Sequence, residues 1–246
     1  TLYKAQALVI SFDKAINENS SLINIPFDNA IQNSVKTYSV VTIDEKLKLF
    51  VNTHTIQGAN KSYYNELFSS STTDDVRTKD FEKNFNNQLK KVVSLQSVKL
   101  ISNEIFDEEI TFESKFSISE SLQKVGSLKI TEIPFIDNVY TRDIIATETR
   151  KYDIQYIDYE SSNQYDSEVI LNIHSDKSFS EIPENKTFNF QNHKYSITYQ
   201  LINKNSLKVN RKVIIPWDNI STTQYVEFKK FVEKVVETEE QIVGFK

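Results

Sequence analysis

The chain has 246 residues, a net charge of -5 at pH 7 and a pI near 5.4. Its 39% hydrophobic and 26% charged residues can bury a proper core, which disfavours a disordered chain. The lysines are scattered among acids with no basic patch, which disfavours nucleic acid as a partner, and no apolar run is long enough to span a bilayer.

Residue counts narrow the chemistry further. There is no Cys, so the chain carries no disulfide, thiolate metal site or Cys nucleophile. Only three glycines occur, Gly58, Gly126 and Gly244, too far apart for a phosphate-binding loop or a dinucleotide fingerprint. Asn and Asp are left to form the turns. The 16 Phe and 12 Tyr favour sheet, because aromatic side chains fit a pleated, half-buried surface. The chain begins Thr1-Leu2-Tyr3 with no signal peptide, and reads as a piece of something longer or a processed chain.

In chain order, strands are expected near 5–11 and 35–43. Next comes a run in which Leu47, Leu49 and Val51 alternate with Lys46 and Lys48. A short helix is placed at about 59–69, and a longer one at about 74–90. In the longer helix Phe81, Phe85 and Leu89 share a face, and Thr73 or Asp74 is placed to cap it. A strand near 92–101 follows. In the next, Ile110, Phe112, Phe116 and Ile118 alternate with Thr111, Glu113, Lys115 and Ser117. After a strand near 127–133, the stretch Pro134–Tyr140 has no clear period.

Further strands are expected near 152–159 and 167–173. Tyr195, Ile197, Tyr199 and Leu201, then Leu207, Val209, Val213 and Ile215, form a hairpin across Asn203-Lys204-Asn205. Arg211 is the exception in this pattern, a cation at an inward position. A helix at about 222–238 closes the chain. Ser221 and Gln224 form its capping box, and Tyr225, Phe228, Phe231, Val232, Val235 and Val236 its apolar stripe. The expected fold class is mainly β with a few helices. It is organised as two antiparallel β-sandwich-like domains, 1–145 and 146–246, the second closed by the C-terminal helix.

No catalytic signature stands out. His54, His174 and His193 are isolated from one another, so packing or surface roles are expected and no metal site. No nucleophile elbow is present. Acids cluster at Asp107-Glu108-Glu109, at Asp74-Asp75 and at Glu237, Glu239 and Glu240. A glycosidase needs two carboxylates flanking one cleft, which neighbours on a strand do not make. Asp74 and Asp75 sit where a helix N-terminus favours negative charge, and the last cluster reads as a solvated helix end. Exposed rings on a β-face can stack on sugars, which makes Tyr152 and Tyr156 the candidate binding residues, with Tyr159 on the opposite face. Trp217, the only Trp, reads as a plug between the last strand and the last helix.

Several segments together resemble a known family. They are Thr149-Arg150-Lys151-Tyr152-Asp153-Ile154, Ser180-Glu181-Ile182-Pro183-Glu184-Asn185, the hairpin of Tyr195–Tyr199 with Leu207–Arg211, and the closing Thr222–Phe231. This pattern resembles the C-terminal β-rich region of bacterial multidomain proteins with a transglutaminase-like core. Leu22-Ile23-Asn24-Ile25-Pro26, Leu47–Ile56 and Gly58-Ala59 are similar to the segment that follows that core. The family's core uses a Cys, a His and an Asp, and no Cys exists here, so no catalytic residue carries over. The resemblance implies a periplasmic or extracellular location and a non-catalytic accessory role beside an upstream transglutaminase-like domain, with no cofactor. The alternative is a stand-alone module binding surface glycan or peptide.

Overall fold

The computed structural model describes residues 6–10, 20–24, 34–46, 48–58, 61–103, 109–119, 122–137, 139–155, 163–216 and 218–246. Residues 1–30 and 31–246 are two separate compact units. In the first, β1 (Gln6–Ile10) pairs antiparallel with β2 (Ser20–Asn24).

Among its described residues, the second unit is mainly β with three helices. Its strands and helices, in chain order, are β3 (Ser34–Ile43), β4 (Leu49–Gln57), α1 (Lys61–Leu67), α2 (Asp74–Leu89), β5 (Val93–Ser102), β6 (Ile110–Ile118), β7 (Gln123–Val125) and β8 (Leu128–Glu132). A 3-10 turn, Arg142–Ile145, follows. Then come β9 (Ile154–Gln155), β10 (Gln164–Asn172), β11 (Phe179–Glu181), β12 (Lys186–Phe190), β13 (His193–Asn203), β14 (Ser206–Ile214), β15 (Asn219–Ile220), α3 (Tyr225–Glu239) and β16 (Ile242–Phe245).

Eight of these strands form one sheet in the order β12-β13-β14-β10-β3-β4-β6-β5. Every pairing is antiparallel except β3 with β10, where Thr37 lies opposite Ser167. That parallel pair joins strands from before and after residue 145. The two expected domains therefore contribute to a single hydrogen-bonded sheet, and the expected boundary lies between its strands. The sequence periods gave no sign of this, because side-chain alternation reports which face a residue occupies and not which strand it pairs with. A second sheet has the order β11-β16-β8-β7. Its strand β16 was not expected: the chain closes on this strand, beyond the terminal helix.

One face of the large sheet is buried. On β3, Val35, Thr37, Ser39, Val41 and Ile43 are buried, while Tyr38, Val40 and Thr42 between them are exposed. On β6, Ile110, Phe112, Phe116 and Ile118 are buried as expected, but Ser117, expected on the wet face, is buried too. The edge strand β5 carries two irregularities in its register, between Leu95 and Ser97 and between Leu100 and Ser102. Such breaks make an edge a poor template for a further strand.

The helices cover the buried face from two sides. On α2, Thr73 caps the N-terminus, its hydroxyl accepting from the Val76 N–H at 3.4 Å. Phe81 and Phe85 stand over Phe112 and Phe116, with ring centroids 5.3 and 4.7 Å apart. On α3, Phe228, Phe231, Val232, Val235 and Val236 are buried, and Phe228 meets Phe190 of β12 at 5.4 Å. Half of the expected capping box forms: the Gln224 side-chain oxygen accepts from the Ser221 N–H at 3.0 Å. Among the described residues, no helix is long and apolar enough to cross a membrane.

Candidate functional site

A cleft of about 320 Å³ opens where three segments meet. They are the end of α2 (Gln88–Lys91), the connector after β8 (Ile133–Asp137 and Tyr140–Arg142) and the last turns of α3 with the residue beyond (Val236, Glu239 and Glu240). Leu49 of β4 and Ile118 of β6 form part of its floor. Its volume lies at the lower end of the small-molecule range, and about half of the residues lining it are polar or charged.

Arg211, the cation that broke the strand pattern, lies behind this cleft. Its position on β14 turns it to the buried face, where its side chain has 0% exposure. Two carboxylates close on it from different elements. Arg211 Nη2 lies 2.8 Å from Asp137 Oδ1, and Nη1 donates to Glu239 Oε1 at 2.9 Å. Nη2 also donates to the Ser167 hydroxyl at 3.0 Å, and that hydroxyl donates to Asp137 Oδ2 at 3.2 Å. The Phe135 ring lies over the guanidinium, 4.2 Å from its centroid. Burial raises the pKa of both Asp137 and Glu239 above the ordinary carboxylate range, against the opposing pull of Arg211. Burial alone would lower that of Arg211; the two carboxylates more than offset this and raise it.

At the mouth of the cleft the charges pair in the open. Lys91 meets Glu132 at 2.7 Å, and Arg142 meets Glu240 at 2.7 Å. A shallower groove of about 270 Å³ lies on the outer face of the sheet beside Tyr38, Asp166, Glu168 and Lys212. A third, of about 210 Å³, surrounds His174, whose Nδ1 lies 2.6 Å from Asp176 Oδ1 and whose Nε2 lies 3.5 Å from Glu45 Oε1.

The cluster of Glu237, Glu239 and Glu240 is not uniformly solvated, as its sequence suggested. Glu237 and Glu240 are exposed, but Glu239 turns inward to Arg211. Position on the helix decides this: Glu239 follows Val232, Val235 and Val236 along the buried stripe. Asp137 came from the stretch without periodicity and carried no sequence signal. So two acids do line one cleft, the geometric condition for a carboxylate-pair hydrolase. Both, however, commit an oxygen to adjoining nitrogens of the same guanidinium, whereas glycoside hydrolysis needs carboxyls on opposite sides of the scissile bond.

The other candidates are scattered. Tyr152 is 80% exposed, while Tyr156, Tyr159 and Trp217 lie outside the described residues. His54 is half-buried on β4. His193 is buried, with its Nδ1 3.0 Å from the Tyr140 hydroxyl, and burial lowers its pKa to about 4. Asp74 pairs with Arg77 and Asp75 with Lys79, as ordinary first-turn acids of a helix. Glu109 pairs with Lys36 at 3.3 Å, and Asp107 and Glu108 lie outside the described residues. Among the described residues, no three His, Asp or Glu side chains are placed to hold a metal ion.

Residues 126–245 match the family model of DUF3858, a domain of unknown function. That span runs from Gly126 to Phe245 and includes Asp137, Arg211 and Glu239. No curated protein and no solved structure matches the chain.

Proposed function

We propose that this chain is a non-catalytic accessory region of a secreted transglutaminase-like protein, in the periplasm or outside the cell. In this reading it positions that protein's catalytic core or mediates its interactions. The match of residues 126–245 to a domain of unknown function supports it, because the match falls on the half that carries most of the resemblance. The lack of Cys is consistent with it: a Cys nucleophile would come from another domain. So is the site chemistry, since Arg211 engages the two acids of the cleft.

The test begins with the coding sequence upstream of Thr1. A reading frame continuous with it that encodes a Cys, His and Asp core is expected. Deleting residues 1–246 from the intact protein should then lower the activity or the solubility of that core. No such domain upstream, or a deletion without effect on the core, overturns the proposal.

The 320 Å³ cleft favours a second reading, a stand-alone module binding glycan or peptide. Titration with surface polysaccharides and peptides, followed by calorimetry, separates the two. Saturable heat that is lost when the cleft wall is altered at Val236 supports the module, and no heat with any of them ends it.

A further inference from the structure

The buried cluster around Arg211 does not balance its charges. Arg211 stays protonated in any folded protein, and it faces two carboxylates whose side chains are only 10% and 15% exposed. With both ionised, the cluster carries one uncompensated negative charge on side chains that reach water only at the edge of the cleft, a state that burial disfavours.

Among the described residues, the elements packed around it offer no second cation. From β10 comes the Ser167 hydroxyl, and from β13 the phenols of Tyr195 and Tyr199, whose pKa values are raised by burial first and by the nearby Glu239 charge second. Tyr64 of α1, a partly buried neutral phenol, brings no cation either. At the cleft mouth, Lys91 is held by Glu132 of β8 and Arg142 of the 3-10 turn by Glu240, while Lys90 is exposed.

We propose that Asp137, Arg211 and Glu239 form a proton latch on the cleft. In the closed cleft the two carboxyls hold one proton between them, and losing it to solvent as the pH rises sets two like charges on one guanidinium, which one carboxylate relieves by turning away into the cleft. The geometry gives this release a mechanical consequence. Asp137 belongs to the connector and Glu239 to the last turn of α3, and these are two walls of the cleft. Arg211, in the middle of the sheet, ties both walls down. Freeing one carboxylate unties one wall, and the charge it carries is hydrated by turning into the cleft. The elevated carboxyl pKa values that burial produces act in the same direction. The proton belongs to the pair and not to either residue alone.

Infrared spectroscopy of the whole chain tests the first step. A protonated-carboxyl band is expected at pH 7 in the folded wild type, fading as the pH is raised to 9. Asp137→Asn and Glu239→Gln each leave one carboxylate facing one guanidinium, so the band should vanish in both. No such band in the wild type at pH 7, or a band that persists in both variants, overturns the latch. Hydrogen exchange tests the opening. After correction for intrinsic rates, the amides of Val235–Glu239 should exchange faster with rising pH in the wild type and not in Asp137→Asn. The same pH dependence in both proteins overturns the opening, and the wild-type band stands as a test even if a variant fails to fold.

Discussion

Ser167 lies directly opposite Arg211 in the register of β10 and β14, and its hydroxyl accepts from Arg211 Nη2 at 3.0 Å. A small residue is needed there. It leaves the long Arg211 side chain room over the sheet, and its hydroxyl passes the contact on to Asp137 at 3.2 Å. Ser167 is thus a joint between strand pairing and the buried charges, and not merely a gap in the core.

Replacing Ser167 with Ala removes hydrogen bonds to two charged groups, and a loss of about 1.5–3 kcal/mol is expected. Urea denaturation at pH 7 measures it. In a double-mutant cycle with Asp137→Asn the two losses should not add, because both act on one network. Full additivity would mean that the Ser167 hydroxyl does not work through Asp137.

Arg211→Met keeps much of the volume but leaves the two buried carboxyl groups without their cation. Removing one partner of a buried pair typically costs about 3–5 kcal/mol. The loss should be largest at pH 7 and shrink toward pH 5, where the orphaned carboxyls protonate more easily. An equal loss at both pH values would show that Arg211 contributes packing alone.

Phe231 stands edge-on to Tyr140, with ring centroids 5.3 Å apart, and is buried beneath α3. Phe231→Ala should lower stability by about 3–5 kcal/mol through the cavity it leaves. A thermal melt reads this directly. An unchanged melting curve would mean that α3 is not docked through this face.

His193 is buried as the neutral imidazole. Desolvation depresses its pKa to about 4, only partly offset by the Asp218 charge. The unfolded chain therefore binds a proton near pH 6.5 that the folded chain refuses until about pH 4. Its contribution is full above pH 6.5 and is lost as the pH falls through that window, by about 3 kcal/mol at most. His193→Gln should flatten this part of the stability profile. In the wild type, the His193 ring proton should show no NMR titration between pH 8 and 5.5, and a shift centred near 6.5 would contradict the burial.

Gly244 sits in β16 between β8 and β11, where a Cβ would lie 2.9 Å from the Glu181 Cβ and 3.1 Å from Leu128 Cδ1. Gly244→Ala should therefore destabilise by about 1–3 kcal/mol, the usual result of overpacking. A stabilised variant would show that the β11 edge yields at no cost.

The sequence by itself determined the elements whose period is local. Alternation set β6, the first part of β13 and β14, a shared face with the Thr73 cap set α2, and an apolar stripe set α3, because side-chain direction along one strand or helix depends only on that element's geometry. It also marked Arg211, since a cation at an inward strand position stands out against its neighbours. The tertiary structure alone decided the rest. The parallel pairing of β3 with β10 merges the two halves of the chain into one sheet, and backbone hydrogen bonds between distant segments leave no local pattern. Asp137 came from a stretch without a period, and Glu239 from acids that looked solvated. Both became buried partners of Arg211 because a guanidinium turned into the core needs compensating charge from whichever elements the fold brings within reach.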